Sequence, residues 1–367
     1  MHDQRLVKMA QVLVHYSLEL RPGDRTMIVS SPRAEPLVEL VFAEALRAGA
    51  LPDVSLEPLS LRRIHLQTAS AEQLGDISPR ERLAVETYDA YLKISAPANT
   101  RDLASVPRGR LAERSRATEG LQRTWLRRAA EGALRWTSTQ FPTEACAQDA
   151  EMSLPEYEEF VFAACLLNDA DPVASWHAVH VVQEGIVAYL AGKSEFRIRS
   201  AAVDLTYRAG GRKWINSDGH RNFPSGEVFT SPEEGSMEGV ATFSFPAVVH
   251  GREVSGITLE FKMGEVVRAS AQKGEDVLHE LLHTDEGSRR VGEVAIGTNY
   301  GITRFTRNIL FDEKIGGTMH LAVGAAYPET GGTNSSAVHV DLIADLAHGG
   351  EYYADGELFY KDGAFLI

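Results

Sequence analysis

The chain has 367 residues, of which 44% are hydrophobic and 24% are charged, and its formal net charge at pH 7 is −14. These proportions are ordinary for a soluble globular protein, and the length is sufficient for two domains. The negative charge argues against a broad nucleic-acid surface, which requires clustered lysine and arginine. The sequence has no apolar run long enough for a membrane span.

The cysteine content and the N-terminal sequence are informative about the cellular compartment of the protein. The two cysteines, Cys146 and Cys165, are too few for a disulfide framework, which favours a reducing compartment. The first twenty residues are amphipathic and carry charges throughout, unlike the continuous apolar segment of a signal peptide. We therefore expect a cytoplasmic protein with no membrane partner.

The first half of the chain alternates between predicted helices and short apolar strands. Apolar residues at helical spacing predict a helix over residues 3–20, which ends at Pro22-Gly23-Asp24. Further elements follow, with strands at 26–29, 51–56, 89–95 and 134–137 and helices at 35–48, 108–132, 153–167 and 171–192. This order predicts right-handed βαβ units and a parallel sheet.

After Gly192 the pattern changes to short segments in which polar and apolar residues alternate. These segments lie at residues 196–199, 203–207, 240–246, 256–261 and 265–271. One helix is expected near residues 274–282, and the C-terminal residues are predicted to form a hairpin. The predicted fold class is α/β, with an N-terminal parallel-sheet α/β domain (1–190) followed by a strand-rich α+β domain (191–367).

Five polar side chains interrupt apolar segments of the second domain. His320 lies in GGTMHLAVG, and His339 and Asp341 lie in SAVHVDLI. Residues two apart on a strand project from the same face, so His339 and Asp341 are expected side by side. Glu227 and Glu293 occupy comparable positions in SGEVFT and VGEVAIG. Each buried polar group needs a partner, because an unpaired one costs free energy.

These five side chains together indicate a metal site. Any one of them can be an ion-paired core residue, but five in strands of one domain are difficult to explain separately. Imidazoles mixed with carboxylates suit Zn²⁺, Co²⁺ or Mn²⁺ better than Mg²⁺ or Ca²⁺ alone. Because a single tetrahedral ion takes fewer ligands, we predict two divalent metal ions that share the site.

A second motif offers an alternative function. His279, Glu280 and His283 form HELLH, the H-E-x-x-H pattern of zinc endopeptidases, in which the glutamate is the general base. The metzincin continuation is missing, since Glu286 and Arg289 stand at the positions where that pattern has glycine and histidine. The helix is also amphipathic with its histidines on the polar side. A chance match on an exposed helix face is the preferred interpretation.

Longer motifs resemble the M29 family of metalloaminopeptidases, the aminopeptidase T, AmpS and PepS group. These motifs are NSDGHRNFPSGEVFTSP, GEVAIGTNYGI, FDEKIGGTMHLAVG with AAYPETGG, and HVD, and the resemblance extends over nearly the whole chain. It implies a C-terminal catalytic metal-binding domain and a homodimer. The family's metal ligands fall on Glu227, Glu293, His320, His339 and Asp341.

The resemblance also implies a reaction. The function expected is hydrolysis of N-terminal residues from peptides with a free N-terminus, through a water activated by two metals. The family's tyrosine near the metals falls on Tyr327, which can donate a hydrogen bond to the developing oxyanion. A carboxylate must accept the proton of the water; Glu293 is the first candidate and Glu329 the second. A non-catalytic metal- or ligand-binding protein is the remaining alternative.

Overall fold

The computed structural model describes residues 3–249 and 251–367. The chain forms two compact units. The first extends to Trp176 and includes Gly219–Pro224, and the second comprises His177–Asp218 and Ser225–Ile367. The domain boundary predicted between residues 190 and 191 stays a prediction.

Helices dominate the first unit and are sparse in the second. Their bounds are α1 Gln4–Val12, α2 Glu35–Arg47, α3 Leu59–Thr68, α4 Ala71–Gly75, α5 Pro79–Thr87, α6 Arg108–Ala130, α7 Glu144–Asp149, α8 Leu154–Ala164, α9 Pro172–Leu190, α10 Glu275–Leu282 and α11 Ile309–Asp312. A π-helical turn, Leu13–Ser17, continues α1. Within the described ranges, no helix has both the length and the apolar character needed to cross a bilayer.

Most strands lie in the second half of the chain. Their bounds are β1 Arg25–Ser30, β2 Leu51–Leu56, β3 Ala90–Ser95, β4 Arg135–Gln140, β5 Glu195–Arg199, β6 Val203–Arg208, β7 Ile215–Ser217, β8 Asn222–Phe223, β9 Glu227–Thr230, β10 Glu238–Thr242, β11 Ala247–Val249, β12 Arg252–Val254, β13 Thr258–Lys262, β14 Glu265–Ser270, β15 Val291–Gly297, β16 Thr318–Gly324, β17 His339–Asp345, β18 Glu351–Ala354, β19 Glu357–Lys361 and β20 Ala364–Phe365.

The first unit is built on a parallel sheet in the order β2-β1-β3-β4-β8. Ala90, Leu92 and Ile94 alternate inward along β3 and are buried, as expected for a strand inside a layered α/β unit. Helices α3, α4 and α5 occupy residues 59–87, to which the sequence analysis assigned no element. The predicted parallel-sheet architecture of this part of the chain is confirmed.

The second unit contains two larger antiparallel sheets and the β11-β12 hairpin. One sheet has the order β14-β13-β10-β6-β5-β18-β19-β20, and the other has the order β17-β16-β15-β9-β7. A continuous apolar core takes side chains from both sheets, from the C-terminal part of α9 and from α10. The predicted C-terminal hairpin corresponds to β19 and β20, which pair through Tyr360 and Phe365.

The five-stranded sheet has two chemically different faces. Val294, Ile296, Leu321 and Leu342 project from one face into the apolar core. Side chains at alternate positions project from the opposite face, because the side-chain period of a strand is two. This second face carries the polar residues of β9, β15, β16 and β17.

Candidate active site

The pairing of β15, β16 and β17 brings four of the predicted site residues together. Glu293 is the cross-strand partner of Ala322, and Ala322 is in turn the partner of Asp341. His320 and His339 each lie two residues before a member of this row and therefore share its face. The small side chain of Ala322 leaves space between the carboxylates on either side of it.

Glu227 joins the same face from β9, where it pairs with Gly297 at the end of β15. A β-bulge in β15 precedes Glu293. The bulge requires glycine at position 292, because a Cβ there would lie 2.2 Å from the Ala325 carbonyl oxygen. Such bulges re-aim neighbouring side chains, and this one lies directly before the central carboxylate.

The five side chains form two groups that share Glu293. In the first group, His320 Nε2 lies 3.6 Å from Glu227 Oε2 and 3.7 Å from Glu293 Oε1. In the second group, His339 Nε2 lies 3.2 Å from Glu293 Oε2 and 3.5 Å from Asp341 Oδ1. Two ligands about 2.0–2.2 Å from one tetrahedral ion are about 3.4 Å apart, so these spacings suit shared coordination.

The hydrogen bonds around the site leave its potential metal-binding atoms free to coordinate a cation. Glu227 Oε2, which faces His320 Nε2, is buried and has no hydrogen-bond partner among the described residues, which is costly without a ligand. The Nδ1 of His339 donates to the Ala325 carbonyl oxygen at 2.8 Å, which fixes the ring and leaves Nε2 free to coordinate. These donors therefore fit a divalent cation.

Both imidazoles hold a proton strongly in the metal-free protein. Burial on its own lowers the pKa of His320, but Glu293 and Glu227 outweigh it and raise the pKa to about 9. Burial also opposes the charged form of His339, and Asp341 and Glu293 raise its pKa to about 11. The carboxylates thus attract positive charge, and a metal ion must displace these protons.

Tyr327 lies beside the second group. Its ring is 5.0 Å from the His339 ring and 5.5 Å from the Phe229 ring, measured between centroids, and it is 40% exposed. The Thr330 hydroxyl donates to the Tyr327 carbonyl oxygen at 2.6 Å. Partial burial and the nearby carboxylate of Glu293 raise the pKa of the Tyr327 hydroxyl, which stays protonated and able to donate.

Two charged residues near the site were missed by sequence reasoning. Glu313 and Lys314 follow α11, and the Lys314 side chain is fully buried. Its Nζ contacts the Glu313 carboxylate and lies 3.6 Å from Glu227 Oε1. Burial raises the pKa of Glu313 to about 8 against the opposing charge of Lys314. The signal in the sequence was the charged pair shortly before the buried strand that contains His320.

The other candidates lie outside the two groups. Glu329 is exposed on a short 3₁₀ turn beside Tyr327. His279 is exposed on α10 and His283 is exposed directly after its end, with ring centroids 6.3 Å apart. His283 Nδ1 donates to the carbonyl oxygen of His279. Over residues 3–249 and 251–367, neither histidine belongs to a group with metal-binding geometry. The interpretation of HELLH as an exposed helix face agrees with this placement.

Comparison with known proteins defines the class. The sequence profile of the family described as "Thermophilic metalloprotease (M29)" matches residues 2–365. The chain therefore belongs to the M29 metalloprotease family, and it is a metalloaminopeptidase that depends on divalent metal ions. The predicted family, fold class and enzyme class are confirmed.

Individual relatives match over nearly their whole length. The chain is 30% identical to aminopeptidase T of Thermus thermophilus, over 98% of this chain and 96% of that protein. It is 29% identical to aminopeptidase 2 of Geobacillus stearothermophilus, over 93% and 92% respectively. The solved structure of wild-type AmpT from Thermus thermophilus superimposes with a TM-score of 0.86 at 27% identity, covering 99% of both chains.

Proposed function

We propose that this enzyme removes N-terminal residues from peptides with a free α-amine, using two divalent metal ions held by the five clustered side chains. One observation carries the proposal: the two oxygens of Glu293 face different histidines. Oε1 lies 3.7 Å from His320 and Oε2 lies 3.2 Å from His339. A carboxylate in this position can belong to two metal sites at once, as expected for a shared two-metal centre.

The donor set restricts the metals and defines their contribution. Two imidazoles with three carboxylates favour Zn²⁺, Co²⁺ or Mn²⁺, and Mg²⁺ is a poorer match. Divalent ions in such a site lower the pKa of a water molecule toward neutrality and polarise a carbonyl group. The first site comprises Glu227, Glu293 and His320, and the second comprises Glu293, His339 and Asp341.

The remaining chemistry is assigned to side chains of this chain. Glu293 accepts the proton of the attacking water and returns it to the leaving amine, which needs a carboxylate at the centre of the site. The protonated hydroxyl of Tyr327 donates a hydrogen bond to the oxyanion as the carbonyl is attacked. Glu329 is the second candidate for the proton acceptor, and its exposure makes it the weaker one.

The substrate class, the oligomeric state and the location proposed for the enzyme are inferred from its relatives and from its composition. The relatives named as aminopeptidases support peptides as substrates for this chain. A homodimer and a cytoplasmic location are part of the proposal, the first from family resemblance and the second from the cysteine content. The HELLH endopeptidase and the non-catalytic binding protein are not favoured.

A comparison of two substrates tests the exopeptidase assignment. The purified enzyme is incubated with a short peptide that has a free amine and with its N-acetylated counterpart, each with and without a chelator. We expect release of the first amino acid from the free peptide alone, and loss of that release with chelator. Equal cleavage of the acetylated peptide would exclude an aminopeptidase.

A further inference from the structure

Lys314 occupies a fixed position beside the candidate metal site. Its backbone N–H donates to the Phe311 carbonyl oxygen at 3.0 Å, and its own carbonyl oxygen accepts from the Asn299 N–H at 3.0 Å. Among the residues that the structure describes, it is the one lysine classed as buried, with 0% of its side chain exposed. A buried ammonium group without partners costs several kcal/mol, so its neighbours must compensate its charge.

The compensating charges come from carboxylates of the site. The ammonium contacts the carboxylate of Glu313 and lies 3.6 Å from Glu227 Oε1. The other oxygen of Glu227 faces His320 at 3.6 Å. Glu227 is therefore shared between a fixed internal cation and the first candidate metal site.

The two candidate metal groups differ in whether one of their ligands is paired with a lysine. In the first group, a candidate ligand already has a lysine as its ion-pair partner, whereas in the second group His339 and Asp341 are paired with each other at 3.5 Å. A metal ion in the first group would share Glu227 with a positive charge and would be repelled by it. Lys314 also interacts electrostatically with Asp341, but its interaction with Glu227 is the larger one. A metal ion in the second group should therefore be repelled less by the lysine charge.

We propose that Lys314 makes the two metal sites unequal, by weakening divalent-cation binding at the group of Glu227, Glu293 and His320. This inference rests on the proposed two-metal function. Lys314 touches neither group's histidine in the described contacts and acts through Glu227, so it is a positioning residue. Its charge sets the occupancy of the first site without taking part in the chemistry.

The test is a metal titration of the chelator-treated protein. Co²⁺ is added to the wild-type protein and to Lys314→Met, and binding is followed by calorimetry and by the visible absorbance of the bound ion. Methionine keeps a long unbranched side chain and removes the charge. Lys361→Met is the matched control, because Lys361 is exposed and pairs with Glu351 on the surface.

We expect two unequal binding steps in the wild-type protein, with the weaker step strengthened by about tenfold or more in Lys314→Met. Lys361→Met should bind as the wild-type protein does. A weaker step that is unchanged or weakened further in Lys314→Met would overturn the inference. Wild-type protein that binds no Co²⁺ at this cluster would instead contradict the proposed function itself.

A second measurement avoids any change at Lys314, in case that variant does not fold. His320→Asn is titrated with Co²⁺ in parallel with the wild-type protein. We expect His320→Asn to lose the weaker step and to keep the tighter one. Equal steps in the wild-type protein, or loss of the tighter step in His320→Asn, would refute it.

Discussion

Glu293 Oε2 lies 3.2 Å from His339 Nε2, although the strands that carry these residues, β15 and β17, are separated by β16. The two side chains can meet because the residues of β16 that lie opposite them are small: Ala322 pairs with Glu293, and Gly324 pairs with His339. An alanine leaves the space above the middle strand open. The charged side chains of the site therefore project from neighbouring strands of one antiparallel sheet.

Replacing Glu293 by Gln should lower kcat by about 100-fold or more, because glutamine cannot accept the proton of the attacking water. The kinetics are measured with metal content determined in the same samples. Glu329→Gln is the matched control and should stay close to the wild-type rate, since Glu329 is exposed outside both groups. Wild-type kcat in a fully metal-loaded Glu293→Gln variant would exclude Glu293 as the proton acceptor.

Replacing Tyr327 by Phe tests the oxyanion contact. The variant keeps the ring beside His339 and Phe229 but loses the hydroxyl group. Removal of one oxyanion donor lowers kcat by about 100-fold to 1,000-fold, and we expect an effect in this range with little change in KM. An unaltered kcat at equal metal content would show that the hydroxyl does not contact the developing charge.

Double substitution of His279 and His283 by Ala separates the preferred function from a zinc endopeptidase. Both side chains are exposed, His279 on α10 and His283 at its C-terminal cap, so the stability change should stay within about 0.5 kcal/mol. Aminopeptidase activity and metal content should be those of the wild-type protein. Loss of metal together with activity would instead support the HELLH motif as the catalytic centre.

Metal binding should strengthen as the pH rises from 6 to 9. The carboxylates raise the pKa of His320 to about 9 and that of His339 to about 11, so both imidazoles are protonated at pH 7 in the metal-free protein. Each metal ion must displace a proton, and displacement becomes easier as the pH increases. Apparent dissociation constants for Zn²⁺ measured across this range test the expectation; values independent of pH would contradict it.

The same pKa shifts affect the stability of the metal-free protein. A histidine whose folded-state pKa exceeds its unfolded value of about 6.5 stabilises the fold most fully below that pH. For His320, this contribution is lost as the pH rises through about 9. The metal-free protein should therefore lose stability between pH 7 and 9, and the metal-loaded protein should lose less.

The predictable parts of the fold were those with a strong local signal. The alternation of apolar strands and helices predicted the parallel sheet of the first unit, and the period-two segments predicted the strands of the second. Helices α3, α4 and α5 were missed because most of their residues are exposed, which leaves a weak apolar periodicity. Tertiary packing against α6 determines these helices more than their own sequence does.

The residues of the site also divide into those that a local sequence pattern indicated and those that it did not. His320, His339 and Asp341 were recognisable because each is a polar residue inside an apolar strand, and strand geometry alone places His339 and Asp341 on a shared face. Glu313 and Lys314 precede the strand, so no local periodicity indicates where their side chains point. Their approach to Glu227 depends on the path of the chain between β15 and β16.

The number of metal ions that each chain binds decides whether the five clustered side chains form a two-metal centre. Elemental analysis is performed on the purified protein after equilibration with Zn²⁺ or Co²⁺ and removal of free metal, and on Glu293→Ala treated identically. We expect two ions per wild-type chain and a loss at both sites in the variant, because Glu293 belongs to both groups. Two ions retained by Glu293→Ala, or no ion bound by the wild-type protein, would contradict it.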